Sequence, residues 1–414
     1  MSIVLQAQPE DYSLAYNDNP YVFFSTAYTP TQRFKVVVLP STYPTDPILA
    51  TVRVFPRVGV TAGGTVQLNK AYYDPSRILQ TQIAGNVAIP SANHPTLFDC
   101  PNMHYEYLLF IQSEDKVNGV YVGGAAKFTT VKSVWNGVNN LTDWLDFDYT
   151  DYDNAVTAKK FLTYAPRTQY IDSNQSAFLY FLTSNISQIT KVKLTGYNAA
   201  GSAITSGVID IAPTEKYNRI AIGTYDIIES DPADWSTGLP STFLTGVSYY
   251  TVKIGNASFN LINSETFTFY VNAKCSKYTP VRLTWLNRLG GFDSFNFIYK
   301  SEVDTDVKRS TYQQEPHTFT GTDWQYTKAS RGVTTYNVEM TSSIKVNSDF
   351  LTDTESAWME DLFTSPVVYM EVDNQLIAVN VDGKNIKLQT SLNDKLSQYT
   401  FDITGAMVNN RQRG

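Results

Sequence analysis

Residues 281–299 read Val-Arg-Leu-Thr-Trp-Leu-Asn-Arg-Leu-Gly-Gly-Phe-Asp-Ser-Phe-Asn-Phe-Ile-Tyr. An apolar strand ends at Trp285. Asn287-Arg288 then makes a basic turn, and Gly290-Gly291 supplies the backbone freedom that a tight reversal needs. A second strand follows, with Phe295, Phe297 and Tyr299 on one face, because alternate residues of a strand share a face. The stretch is therefore a hairpin of aromatic and apolar residues. It carries no nucleophile with an adjacent base and no set of metal ligands.

The rest of the chain agrees with this β reading. Its 414 residues exceed what one core organises, so two or three domains are expected. Apolar content is 43%, enough for large cores, while charged residues make up only 17%. Thr, Ser, Asn and Tyr supply the polar bulk. The 28 Tyr and 22 Phe favour pleated, half-buried surfaces. They also suit weakly charged interfaces, where aromatics are enriched and Lys, Glu and Asp depleted. The net charge of −7 argues against an electrostatic nucleic-acid binder. It is compatible with a wall past which DNA slides. Cys100 and Cys275 form no CxxC pair and no disulfide framework, so both read as buried thiols. The first ten residues have no basic region and no apolar core of a leader, and the longest apolar runs, near 107–111 and 178–182, are too short to span a bilayer.

Three blocks are expected: 1–150, a β-rich domain with one short helix; 151–275, a β-sandwich; and 276–414, a third β domain. In the first, 20–27, 33–39 and 49–55 read as strands. Asp74-Pro75 opens a helix, with Ile78, Leu79 and Ile83 on one face and Gly85 as its stop. In the second, 177–183, 189–195, 204–211 and 249–254 are strands between Asn/Gly/Ser turns. Leu141 to Asn154 reads as an acidic, aromatic linker before it. In the third, Tyr336, Val338, Met340, Ile344 and Val346 keep period 2 and predict a long half-buried strand. Thr352 to Glu355 forms a capping box for a helix whose apolar face is Trp358, Met359, Leu362 and Phe363. Ile377, Val379 and Val381 lead into Asp382-Gly383, a tight-hairpin signal, with Ile386 and Leu388 on the return strand and Tyr399, Phe401 and Ile403 closing the sheet. Residues 301–331 have weak periodicity and read as a long loop.

Little in the chain suggests catalysis. His94, His104 and His317 sit at no ligand spacing, and no HExxH, GxSxG, Walker or GxGxxG pattern occurs. Gly63-Gly64, Gly123-Gly124 and Gly290-Gly291 read as turns or bulges. The strongest candidate site is the run Asp143, Asp146, Asp148, Asp151 and Asp153, interleaved with Trp144, Phe147, Tyr149 and Tyr152. Of these, Asp146, Asp148, Asp151 and Asp153 are weak Ca²⁺ candidates, since the spacing lacks the glycine and glutamate of an EF-hand loop. Aromatics with paired acids would also suit a glycan. The bland alternative is a solvated acidic segment whose aromatics pack on neighbouring structure.

The block Trp285-Leu-Asn-Arg-Leu-Gly-Gly-Phe-Asp293 resembles a segment found in structural tail proteins of Bacteroidetes phages, crAss-like or related tailed phages. There it opens a C-terminal domain similar to the tail-tube or hub fold. The early Asn19-Pro20, the Tyr72-Tyr-Asp-Pro-Ser-Arg-Ile-Leu79 helix start and the Asn409-Asn-Arg-Gln-Arg413 ending resemble the same group; the middle of the chain does not. The resemblance implies an all-β, mainly antiparallel, multi-domain fold with few short helices and a non-enzymatic virion protein without a cofactor. Its expected form is a homo-oligomeric ring in the tail, hub or head–tail connector, assembled in the host cytoplasm. Its expected partners are its own copies, other tail or connector proteins, and transiting DNA as a passive contact. Interface candidates are Tyr312, Phe319, Trp324, Tyr326, Arg411 and Arg413, with 301–331 expected to order only against a neighbouring subunit. Two other classes compete: a glycan-binding or glycan-cleaving tail spike, and a secreted β-sandwich adhesin, which the missing leader disfavours.

Overall fold

A computed structural model describes the chain except residues 1, 28, 61–65, 84–95, 156, 261, 273–276, 326, 383–395, 408 and 411–414. The protein is mainly β, 49% strand and 13% helix, in several mostly antiparallel sheets with few short helices. By contacts it divides into two compact units, residues 1–271 with 287–293, and residues 272–286 with 294–414.

In the first unit, strands Ile3–Ala7, Tyr21–Ser25, Val66–Tyr73 and Arg57–Val60 form a four-stranded sheet in that order. A six-stranded sheet is built on His104–Val117, which pairs with Arg33–Pro40, Lys132–Trp135 and Val120–Phe128. Alternation places Tyr21 and Phe23 of the first sheet in one core with Phe34, Val36, Val38, Tyr107, Leu109 and Ile111 of the second. Helix Ser76–Ile83 closes this core with Leu79 and Ile83. Its first turn is set as the sequence predicts: the Asp74 carboxylate accepts the Ser76 N–H at 2.9 Å, and the Pro75 carbonyl takes the first helical bond. Gly123 marks a register shift in Val120–Phe128, so that glycine pair does sit at a bulge.

The same unit contains an eight-stranded sheet centred on Lys191–Tyr197, flanked by Ala203–Asp210 and Tyr249–Gly255. A three-stranded sheet joins Phe178–Leu182, Tyr217–Ala221 and Leu97–Asp99. Phe178–Leu182 and Tyr217–Ala221 are buried at every position; for Phe178–Leu182 this explains a continuous apolar run instead of an alternating one.

The second unit is one eight-stranded sheet with a helix. Its order is Phe292–Phe297, Val281–Leu286, Val368–Val372, Gln375–Asp382, Thr400–Gly405, Val333–Asn347 and Glu302–Gln313, with Asn409–Asn410 also paired to Val333–Asn347. Tyr299 lies beyond the end of its strand. Helix Asp353–Thr364 starts with the expected capping box: Thr352 Oγ1 accepts the Glu355 N–H, and Glu355 accepts the Thr352 N–H at 2.8 Å. Trp358, Met359 and Leu362 are buried. The Trp358 ring lies 5.1 Å from Trp285 and 6.0 Å from Phe295. Phe363 is half-buried and meets Tyr399 and Phe401 edge-on.

Residues 301–331 are not a loop. Glu302–Gln313 is a twelve-residue strand paired with Val333–Asn347 along its whole length, and Thr318–Thr320 pairs with Asp323–Gln325 in a small hairpin. The apolar period is missing because nearly every residue of Glu302–Gln313 is exposed, so neither face needs apolar side chains.

Candidate functional site

Three regions bear on function: the turn after Trp285, the acidic segment 141–154, and the long pair of strands 302–313 and 333–347. The turn is the most fully spent. Asn287 Oδ1 accepts the N–H groups of Leu289 and Gly291, both at 3.0 Å, and its Nδ2 donates to the Leu162 carbonyl at 3.1 Å. Gly290 has φ +88°, and a Cβ there would fall 1.8 Å from the Asn136 carbonyl oxygen, so only glycine fits. The Leu289 carbonyl accepts the Trp135 indole N–H at 3.1 Å. Asp293 accepts the Thr163 hydroxyl at 2.8 Å. Residues 287–293 and all these partners belong to the first unit. The turn therefore works as a packing element, with the Asn287 amide and the Asp293 carboxylate bonded within the chain.

The acidic segment is a short helix, Leu141–Leu145, and a single turn, Tyr149–Asp151, instead of an extended linker. Asn140 caps the helix through Asp143 N–H. Phe147 stacks on Tyr152 at 5.5 Å and lies 5.9 Å from Trp135. The carboxylates are dispersed among separate partners: Asp143 pairs with Arg288 at 3.3 Å, Asp151 with Lys160 at 2.8 Å, and Asp153 accepts the N–H groups of Ala155 and Ser184. Asp148 accepts hydrogen bonds from the Thr150 hydroxyl and from the Thr150 N–H, and these bonds hold its carboxyl below its ordinary range. Asp146 is the C-terminal cap of the short helix. Among the described residues no group of three or more His, Cys, Asp or Glu is placed to hold a metal ion.

One buried cluster had no signal in the sequence. Asp226, wholly buried, accepts the N–H groups of Gly223 and Ala177 and the Ser176 hydroxyl at 2.9–3.0 Å, capping helix Thr224–Glu229. Burial raises its pKa to about 6, against the lowering pull of those donors and of Arg219. Arg219, also wholly buried, lies 4.5 Å from the Phe98 ring centroid and 5.1 Å from that of Phe178. Cys100 is a buried free thiol whose pKa burial pushes up to about 12, the opposite of a reactive cysteine.

The third region is the open one. Along strand Val333–Asn347, Thr400–Gly405 reaches only Ser343–Asn347, and Asn409–Asn410 only Glu339 and Met340. Among the described residues, 333–338 and their partners 309–313 therefore extend as a two-stranded arm of roughly 20 Å at the usual rise per residue. A register shift at Ser310/Thr311 skips Tyr336, which is exposed where the sequence pattern places it half-buried. Tyr312, Phe319 and Trp324 are 46%, 60% and 57% exposed, and Trp324 stacks on His317 at 3.7 Å. The interface candidates Tyr326, Arg411 and Arg413 lie outside the described residues, as do His94, Cys275, Gly63-Gly64, Gly85, Gly383, Ile386 and Leu388. Near the base of the arm, Val303, Ile344, Met370, Ile377, Ile403 and Met407 line an apolar groove of about 210 Å³. Val303, Ile344 and Ile403 lie opposite one another across three strands, so the groove continues the apolar face on which the helix packs.

Among the described residues no helix is long and apolar enough to cross a membrane. No known protein family matches the chain, and no curated protein sequence matches it.

Proposed function

We propose that the protein is a non-enzymatic structural component of a phage virion, a tail, hub or connector protein that assembles into a ring and contributes to the DNA conduit. The observation that carries this reading is the arm. An isolated two-stranded ribbon is marginal in water, and this one presents Tyr312, Tyr336, Phe319 and Trp324 to solvent beside an exposed apolar groove. Aromatic side chains placed so are typical anchors in subunit contacts. The resemblance of the Trp285–Asp293 block to phage tail proteins supplies the biological setting. Electron micrographs of the purified protein test it: closed rings are expected, and monomers at every concentration would overturn it.

A second reading, glycan binding by a receptor-contacting tail protein, rests on a cleft of about 270 Å³ lined by Tyr12, Trp144 and Phe147 with Glu10 and Asp18. Burial, with Asp148 and Asp11 nearby, raises the pKa of Glu10. Binding to host-surface glycans that is lost in Trp144→Ala would favour this reading over the ring.

A further inference from the structure

We infer that the outer edge of strand Glu302–Gln313 is a self-complementary surface that pairs antiparallel with the same strand of a second copy, about a twofold axis through Val307. The inference goes beyond the ring reading and stands separately from it. A ring needs head-to-tail contacts, whereas this contact is isologous and joins two copies or two rings face to face.

The edge is open. Among the described residues, Glu302–Gln313 is the last strand of its sheet and pairs only with Val333–Asn347. Its other side therefore offers a row of backbone donors and acceptors over twelve residues. On this strand the register shift places the extra residue in the partner, at Tyr336, so the outer edge stays regular.

The side chains select both orientation and register. Glu302, Asp304 and Asp306 make the first half acidic, and Lys308 and Arg309 make the second half basic. Parallel pairing in register would set like charges side by side, which destabilises a sheet. In an antiparallel pair, opposed residues must both point their backbone groups at the partner or both away, so a residue on the twofold faces itself and its neighbours face in sequence mirror order. With Val307 on the axis, Asp306 faces Lys308 of the second copy, and Lys308 faces Asp306. Thr305 then faces Arg309, Asp304 faces Ser310, and Val303 faces Thr311. Moving the axis to Asp306 or Lys308 opposes two like charges at the centre, and moving it to Thr305 sets Asp304 against Asp306 twice. Only the Val307 axis gives two opposite-charge pairs around an apolar centre.

The existing sheet extends the pattern. Lys308 stands opposite Glu339 within the chain, so pairing would continue the alternation as Glu339, Lys308 and Asp306 across three strands. Val307 shares the face of Val303, which lines the apolar groove, so the two grooves would fall on one side of a joined sheet. Charged edges usually guard against association; here the charges match their own mirror order.

Sedimentation of the full chain and of three charge variants tests the pairing. Lys308→Asp alone and Asp306→Lys alone should each weaken self-association about tenfold or more. The double variant Asp306→Lys/Lys308→Asp should restore it. Oxidative cross-linking tests the register: thiols introduced by Val307→Cys should join copy to copy, and those from Thr305→Cys should not, with peptide mapping identifying the bond. A parent that never self-associates, single variants that match it, a double variant that fails to recover, or equal cross-linking at 305 and 307 would each overturn the proposal. Ring images do not enter this test, so its failure is distinguishable from failure of the ring reading.

Discussion

The turn Asn287–Asp293 and the arm built from 309–313 and 333–338 both carry aromatic residues, and the protein uses them in opposite ways. The turn buries Leu289 and Phe292 and spends every side-chain group of Asn287 on its own backbone or on Leu162. The arm has comparable aromatic content, but its rings face solvent and its outer edge is open. Aromatic richness thus marks a surface that must be covered. It does not say whether the cover comes from the same chain or from another molecule. Hydrogen-bond satisfaction makes that distinction: the turn is closed internally, and the arm is not.

The contrast can be pressed by substitution, beginning at the buried end. Trp358→Ala should cost about 3–5 kcal/mol, because the indole is enclosed by Trp285 and Phe295 on the sheet that also carries the arm. Chemical denaturation monitored by circular dichroism reads this directly, and a variant as stable as the parent would show that the helix face is not core. Gly290→Ala should destabilise by about 3 kcal/mol, since it meets both a left-handed backbone and the Asn136 carbonyl. An unchanged melting temperature would mean that the turn is not the packing element described.

A smaller, pH-dependent effect belongs to the first unit. The folded-state pKa of Asp226, about 6, lies above its unfolded value. Its contribution to stability is then fully present below the unfolded value near pH 4 and is lost as pH rises through 6. Stability of the parent relative to Asp226→Asn should therefore fall between about pH 4 and pH 6 and level off above. A difference independent of pH would show that burial does not raise the Asp226 pKa above its unfolded value. The smallest effect is expected on the arm: Trp324→Ala should change stability by no more than about 0.5 kcal/mol while reducing assembly, and a large loss of stability would move Trp324 into the core.

Much of this architecture is legible in the sequence because local chemistry dictates it. Asp74-Pro75 and Thr352–Glu355 announce their helices through capping, and the Val, Phe and Tyr runs announce the strands they form. Three features are not legible, each for a physical reason. Glu302–Gln313 carries no apolar period because neither face is buried. The acidic segment hides a helix too short to show a period, held by Asn140 and by Phe147 stacking. Asp226 draws its hydrogen-bond donors from Ser176 and Ala177, about fifty residues away, so no spacing in the chain announces it. For the candidate site, Tyr312, Phe319 and Trp324 are exposed and their interface role is a proposal, whereas the dispersal of the aspartates over separate partners depends on Arg288, Lys160 and Ser184, which no local pattern places beside them.

The most direct test of the contrast is to remove the arm. Residues 309–338 would be replaced by a short Gly-Ser turn, and the purified variant compared with the parent by thermal melting and electron microscopy. The account predicts a protein that melts like the parent and forms no rings. Rings formed as readily as by the parent, or a variant that fails to fold, would contradict it.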